Sequence, residues 1–296
     1  MAEIDVVRAM LAQMRNPDAP PQSLSERRAA MDAFGDAAQL PEHWRIEDDA
    51  LGRPAQRHAG PGIVQDAAIL YLHGGGYVLG SPASHRGLVA QLAHAAGVQA
   101  FALDYRLAPE HRCPAAIDDA FAAYEQLLDR GFAPQRLAIA GDSAGGGLAL
   151  ATALRIREQG RPAPAALALI SPWLDLTQSG DSYATRAAHD PVLTKQALED
   201  FATDYVGPDG DRRANGASPL FADLKGLPKT LTQVGDAEIL LSDAVRFHER
   251  ALAAGVSSEL ETAADMTHVW HIFYPILEPA RTAIERAGRF VRAALN

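Results

Sequence analysis

Along the chain, short apolar runs alternate with longer stretches whose apolar residues recur every three or four positions. The runs are "AAILYL" (67–72), "VQAFALDY" (98–105), "RLAIA" (136–140), "AALALIS" (165–171) and "TLTQV" (230–234), and they read as strands. Between them lie helical patterns such as Ile117, Phe121, Tyr124 and Leu128, and the stretch from about 144 to 159. Strands that are apolar almost throughout cannot face water on either side, so the pattern predicts the α/β class, with a mostly parallel sheet covered on both faces.

Two departures from this alternation divide the chain. The first 45 residues carry amphipathic helical patterns and no strand. Ile4, Val7, Met10, Leu11 and Met14 form one apolar stripe, "NPDAPPQ" interrupts, and Ser23 with Glu26 opens a second helix as a capping box. Residues 181–215 also hold helical patterns without a strand, which predicts an insertion between two core strands, a common way to cover a site. The expected organisation is therefore an N-terminal helical segment (1–45), a first core portion (46–180), a cap insertion (181–215) and a second core portion (216–296).

Composition narrows the partners. The chain has 296 residues, 37 acidic against 27 basic, for a formal net charge of -10. That excess disfavours nucleic acid and anionic membrane, which both reward clustered Lys and Arg. Cys113 is the only cysteine, which excludes an internal disulfide and a cysteine-based zinc site. Asp5 and Arg8 interrupt any signal-peptide apolar region, and no run approaches the roughly 18 apolar residues of a membrane span. A cytoplasmic location is expected.

Two glycine-rich stretches carry the candidate chemistry. Gly141-Asp142-Ser143-Ala144-Gly145 lies between a predicted strand and a predicted helix. A sharp turn there pushes the serine outward, and the helix start aims free N–H groups at negative charge forming beside it. Ser143 is the expected nucleophile. The second stretch, His73-Gly74-Gly75-Gly76, follows "AAILYL". Acyl transfer creates an oxyanion that needs backbone donors, and the N–H groups of Gly74, Gly75 and Ala144 are the expected oxyanion hole. A dinucleotide loop is excluded because Leu79 and Leu150 occupy the last position of G-x-G-x-x-G, and Gly-Lys-Ser/Thr is missing from both stretches.

A base and an orienting carboxylate should follow the serine in chain order. His248 falls inside the helical run "LLSDAVRFHERALAAG" and reads as surface. His268 and His271 follow the strand-like "SSELETA"; no HExxH or carboxylate set makes them a metal pair, and His268 is taken as the base. Beyond "TLTQVG" stand Asp236, Glu238 and Asp243. Asp243 is too far along the next helix, and spacing leaves Asp236 and Glu238 both open.

Together "HGGG", "DYRLAPEHRCPAAIDDA", "GDSAGG", "SPWLDLT" and "DMTHVW" resemble the bacterial hormone-sensitive-lipase-like esterases, family IV of the α/β-hydrolase fold, over roughly residues 45 to 290. The resemblance implies a twisted sheet of about eight strands, a helical cap, and a serine carboxylesterase acting on small esters with short acyl chains. It implies no metal or cofactor. It carries Ser143, His268, Gly74 and Gly75 over to nucleophile, base and oxyanion loop. The family's acid is an aspartate two residues before a leucine; Leu240 matches that leucine, so Glu238 stands on the acid position, a departure from the usual residue type. The same triad would serve a lactone or N-acyl hydrolase. The contrasting class is a non-catalytic small-molecule receptor, as in the plant gibberellin receptors, which lack the histidine that is present here as His268. The family also implies a homodimer through the sheet edge, for which "SSELETA" is the candidate.

Other landmarks read as structure. Asp104, Arg106, Glu110 and His111 are expected to form a charge network bracing the oxyanion loop. Cys113 reads as a small inert hydrophobe. Trp173 and Asp175 are left between pocket lining and turn packing.

Overall fold

The structure, a computed structural model, describes residues 2–14 and 22–296. Of the expected linker "NPDAPPQ" only Gln22 is described; the rest, and the side chain of Met14, lie outside the described residues.

One sheet of eight strands runs through the molecule. In chain order the strands are β1 (Arg45–Ala50), β2 (Pro54–Ala59), β3 (Val64–Leu72), β4 (Val98–Leu103), β5 (Leu137–Asp142), β6 (Ala166–Ile170), β7 (Lys229–Gly235) and β8 (Ser258–Ala263). Across the sheet their order is β1-β2-β4-β3-β5-β6-β7-β8. From β4 to β8 every neighbouring pair is parallel, while β1 and β2 form an antiparallel hairpin that joins β4. Strands β4, β5 and β6 are buried along their whole length, as their apolar runs require.

The two faces hold two cores. Leu70, Leu72, Leu137 and Ile139 point to one, and Ile69, Tyr71, Ala138 and Ala140 to the other, the period-2 alternation of a sheet buried on both sides. The first face is covered by α4 (Ala115–Asp129), α5 (Ala144–Glu158) and α8 (Leu241–Ala253), through residues such as Tyr124, Leu148 and Phe247. The second is covered by α3 (Pro82–Ala96) and α9 (Glu278–Leu295), through Leu88, Leu92, Ile284 and Val291.

The hairpin β1–β2 has no counterpart among the apolar runs. "RIEDDA" and "PAQRHA" are too polar to read as core strands, and β1 is mostly exposed. Its ladder with β2 and the acidic cluster Glu47-Asp48-Asp49 suit an open sheet edge, where charge discourages pairing with another chain. At the opposite edge β8, the strand read as "SSELETA", is half-buried except at Glu259 and Thr262, which are exposed.

The N-terminal helices α1 (Glu3–Met14) and α2 (Leu24–Asp36) pack over the core. Val7 and Leu11 of α1 are buried. Ser23 and Glu26 form the expected capping box at the start of α2. At the end of α2, a Cβ on Gly35 would lie 2.0 Å from the Ala83 carbonyl oxygen, so the crossing with α3 depends on glycine. Arg28 of α2 reaches the Val78 and Ala108 carbonyls at 2.9 Å each, tying this helix to the loop after β3.

Between β6 and β7 the chain makes no strand and includes α6 (Ser182–Thr185) and α7 (Lys195–Val206). The helical stretch read at 181–215 lies inside this excursion. Phe201 of α7 sits against Gly76, where an added Cβ would meet its ring at 2.5 Å. The Arg27 guanidinium of α2 lies 5.4 Å from the centroid of the same ring. Among the described residues no helix is long and apolar enough to cross a membrane.

Candidate active site

Ser143 occupies the turn between β5 and α5 with φ +53 and ψ −123, a conformation that L-residues adopt only at a cost. Surrounding contacts hold it there. Its N–H donates to the Ile170 carbonyl at 2.9 Å, and its own carbonyl accepts from Trp173 N at 2.9 Å. The following turn fits because Gly145 has no Cβ, which would lie 2.0 Å from the Leu72 carbonyl oxygen.

His268 reaches this serine from the loop after β8. Its Nε2 lies 2.9 Å from Ser143 Oγ, and its Nδ1 lies 2.8 Å from Glu238 Oε2. A carboxylate only accepts, so Nδ1–H donates to Glu238 and Nε2 is left to accept from the serine hydroxyl. Burial works against the imidazolium, but the hydrogen bond to Glu238 and the charges of Glu238 and Asp190 hold His268 above the usual imidazole range. Glu238 is fully buried in the turn after β7. Its Oε1 accepts from Ser171 Oγ at 2.7 Å and from Gly235 N at 2.6 Å, which fixes the carboxylate toward the imidazole.

The other candidates lie elsewhere. Asp236 turns away from His268 and accepts from Asp265 N at 2.7 Å. Asp243 is buried under the Leu174 and Asp175 N–H groups, each at 2.9 Å, and burial pushes its carboxyl up to about 7. His271 is buried against Gln233 Oε1 at 2.9 Å and pushed down to about 3 by burial, so it is neutral. His248, on α8, is half-buried and bonded to Ser258 Oγ at 2.9 Å.

The loop after β3 differs from expectation at one glycine. Gly74 N–H donates to Asp142 Oδ1 at 3.1 Å, so the Asp142 carboxylate engages the donor that was expected to face an oxyanion. Gly75 and Gly76 follow with φ +117 and +66, conformations that favour glycine. A Cβ on Gly75 would lie 2.2 Å from the Leu79 carbonyl oxygen. Among the described residues, the N–H groups of Gly75, Gly76 and Ala144 engage no acceptor.

The expected charge network does not form. Arg106 pairs with Asp119, with Nη2 to Oδ1 at 2.7 Å, and Glu110 pairs with Arg28 of α2 at 2.8 Å. Asp104 is half-buried and His111 exposed. The loop is braced instead by Tyr105, whose hydroxyl donates to the His73 carbonyl at 2.7 Å while its ring stacks on His73 at 4.2 Å. A neutral side chain does this better than a charged one, because the position is wholly buried. Burial pushes His73 down to about 3, and its Nδ1 donates to the Gly74 carbonyl at 2.8 Å.

Trp173 and Asp175 are buried, and Asp175 accepts from Thr177 N at 2.8 Å and pairs with Arg246 at 2.8 Å, a turn-forming role. Cys113 is half-buried with its thiol pushed up by burial. The structure adds Asp142, Ser171 and Gly76 to the site. Asp142 had a signal, its place beside Ser143; Ser171 had none.

Comparison with known proteins agrees with this architecture. A family model described as the alpha/beta hydrolase fold matches residues 69–272. An acetyl-hydrolase of Streptomyces hygroscopicus is 41% identical over 295 residues, spanning 99% of this chain and 97% of that protein. A crystal structure of a hormone-sensitive lipase from a metagenome library superposes with a TM-score of 0.96 at 39% identity, covering 100% of this chain and 99% of that one. The crystal structure of EstE5 soaked with p-nitrophenyl butyrate superposes with a TM-score of 0.93 at 43% identity, covering 99% and 98%. The chain therefore belongs to the hormone-sensitive-lipase-like esterases of the α/β-hydrolase fold.

Proposed function

We propose that this esterase hydrolyses small carboxylic esters with short acyl chains through an acyl-enzyme on Ser143, with His268 as base and Glu238 as acid. One observation carries the reading: the unbroken relay from Ser143 Oγ to His268 Nε2 at 2.9 Å and from His268 Nδ1 to Glu238 at 2.8 Å. His268 takes the hydroxyl proton as Ser143 attacks the ester carbonyl, and Glu238 stabilises the resulting imidazolium. The tetrahedral oxyanion rests on the free N–H groups of Gly75, Gly76 and Ala144, beside the N-terminus of α5. His268 then protonates the leaving alcohol. Water repeats the sequence on the acyl-enzyme, with no metal or cofactor in any step.

Short acyl groups are supported by the covering of the site. In this reading α1, α2 and the 181–215 helices form the cap, and Phe201 against Gly76 narrows the space above the oxyanion loop. The names of the relatives, an acetyl-hydrolase and a structure soaked with a butyrate ester, agree with that choice. The same reading makes the protein a cytoplasmic enzyme with the open edge of β8 as its self-association surface, which light scattering of the wild type against an edge variant such as Glu259→Pro would test.

Hydrolysis of a p-nitrophenyl ester series from acetate to palmitate tests the substrate class. Rates highest at two to eight carbons are expected. Turnover confined to lactones or amides would replace the ester reading, and no turnover on any acyl substrate would favour a receptor.

A further inference from the structure

One buried carboxylate in the strand-free excursion between β6 and β7 reaches the turn that carries Glu238. Asp190 lies five residues before the start of α7 and is only 2% exposed. Its Oδ1 accepts from Val192 N at 2.8 Å and Leu193 N at 2.9 Å, closing the turn that leads into α7. Its Oδ2 accepts from Ile239 N at 3.0 Å. Ile239 directly follows Glu238, in the turn where Glu238 N itself bonds back to the Gly235 carbonyl at 3.3 Å. A buried carboxylate is costly unless backbone donors satisfy it, and this one draws its donors from both segments.

We propose that Asp190 is a positioning residue for the reaction: it pins the turn that carries Glu238 to the cap excursion. This rests on the triad reading above. The groups that act on His268 are Glu238 on Nδ1, Asp190, Asp142 beside Ser143, and the neutral His271. Negative charge from Asp190 favours the imidazolium that forms when Ser143 attacks. An asparagine can still accept from Val192 and Leu193, but its amide would then present N–H to the Ile239 N–H, and the charge is gone.

The test is the pH dependence of p-nitrophenyl butyrate hydrolysis by wild type, Asp190→Asn and Asp190→Ser, with His268 Cε1–H titrated by NMR in the same proteins. The serine variant leaves room for a water and is carried in parallel in case the asparagine variant does not fold. The proposal predicts kcat lower by about 10-fold with KM within about 2-fold, and an acidic limb moved to lower pH by roughly half a unit or more. The NMR titration should move in the same direction without any turnover. A folded variant whose limb and His268 titration stay at the wild-type pH, with only its melting temperature lowered, would overturn the proposal and reduce Asp190 to a turn former. Failure of the triad reading looks different: Ser143→Ala would retain activity while the His268 shift still reported on Asp190.

Discussion

Gly74 N–H and Asp142 Oδ1 are joined at 3.1 Å, although 68 residues separate them in the chain. The same oxygen accepts from Tyr71 Oη at 2.7 Å, and Asp142 Oδ2 faces His85 Nε2 at 3.3 Å. The residue before Ser143 therefore anchors the start of the loop whose next two glycines leave their N–H groups free. In the proposed mechanism this sets the distance between nucleophile and oxyanion donors.

Asp142→Ala should release that anchor. Losing one oxyanion donor costs about 10²–10³ in rate, so a displaced loop is expected to lower kcat by about 10- to 100-fold with KM within about 3-fold. Steady-state kinetics on p-nitrophenyl butyrate read this directly. A wild-type kcat in the variant would detach Asp142 from the loop's geometry.

The acid assignment rests on orientation. Glu238→Gln should drop kcat by about 10³–10⁴, because the amide no longer holds His268 in the required tautomer. Asp236→Asn keeps an oxygen that can accept from Asp265 N and should stay within about 3-fold of wild type. The reverse ranking in a kinetic comparison would move the acid to Asp236.

Spacing alone leaves both carboxylates open, since both follow β7 within one turn, and only the family resemblance points to Glu238. The choice depends on Ser171 and Gly235, whose donors turn Glu238 inward, and on Asp265, whose N–H turns Asp236 outward. Ser171 comes from another strand end and leaves no local trace beside Glu238. The strongest patterns had local causes: strands β3 to β7 are apolar because both faces are buried, and the turn at Ser143 is flagged by glycines that its tight packing demands. The hairpin β1–β2 was hidden for the opposite reason, because its cross-strand pairing needs little apolar sequence. The acceptor of the Gly74 N–H arrives from β5, and a run of three glycines does not say which N–H is free.

The titration of His268 gives a pH profile with a definite sign. In the proposed mechanism the base must be neutral, and the hydrogen bond to Glu238 and the nearby carboxylates raise the His268 pKa against the effect of burial. The acidic limb of kcat/KM should therefore have its midpoint above the ordinary imidazole value of about 6.5, falling tenfold per unit below it. A pH–rate series with a midpoint well under 6 would show that burial wins and the imidazole is poorly supported.

Acid should also destabilise the fold through three other histidines. Burial holds His58, His73 and His271 down to about 3 each, so in the folded state they resist protons that the unfolded chain binds from about 6.5 downward. Stability is lost as pH falls through that window, by up to about 1.4 kcal/mol per pH unit for each histidine. His85, His268 and the buried Asp243 carboxyl, all raised, bind protons more readily in the folded state than in the unfolded chain, so they gain stability as pH falls from 7 and offset part of that slope. Urea unfolding at pH 7 and pH 5 should show a net fall in stability at pH 5; equal stabilities would contradict neutral burial of these side chains.

The most direct measurement is p-nitrophenyl butyrate hydrolysis by wild type and Ser143→Ala, with the melting temperatures of both recorded. Turnover by the wild type is expected, with only background hydrolysis by a variant that melts within a few degrees of it. A folded Ser143→Ala protein that still hydrolysed the ester at the wild-type rate would contradict the proposed acyl-enzyme mechanism.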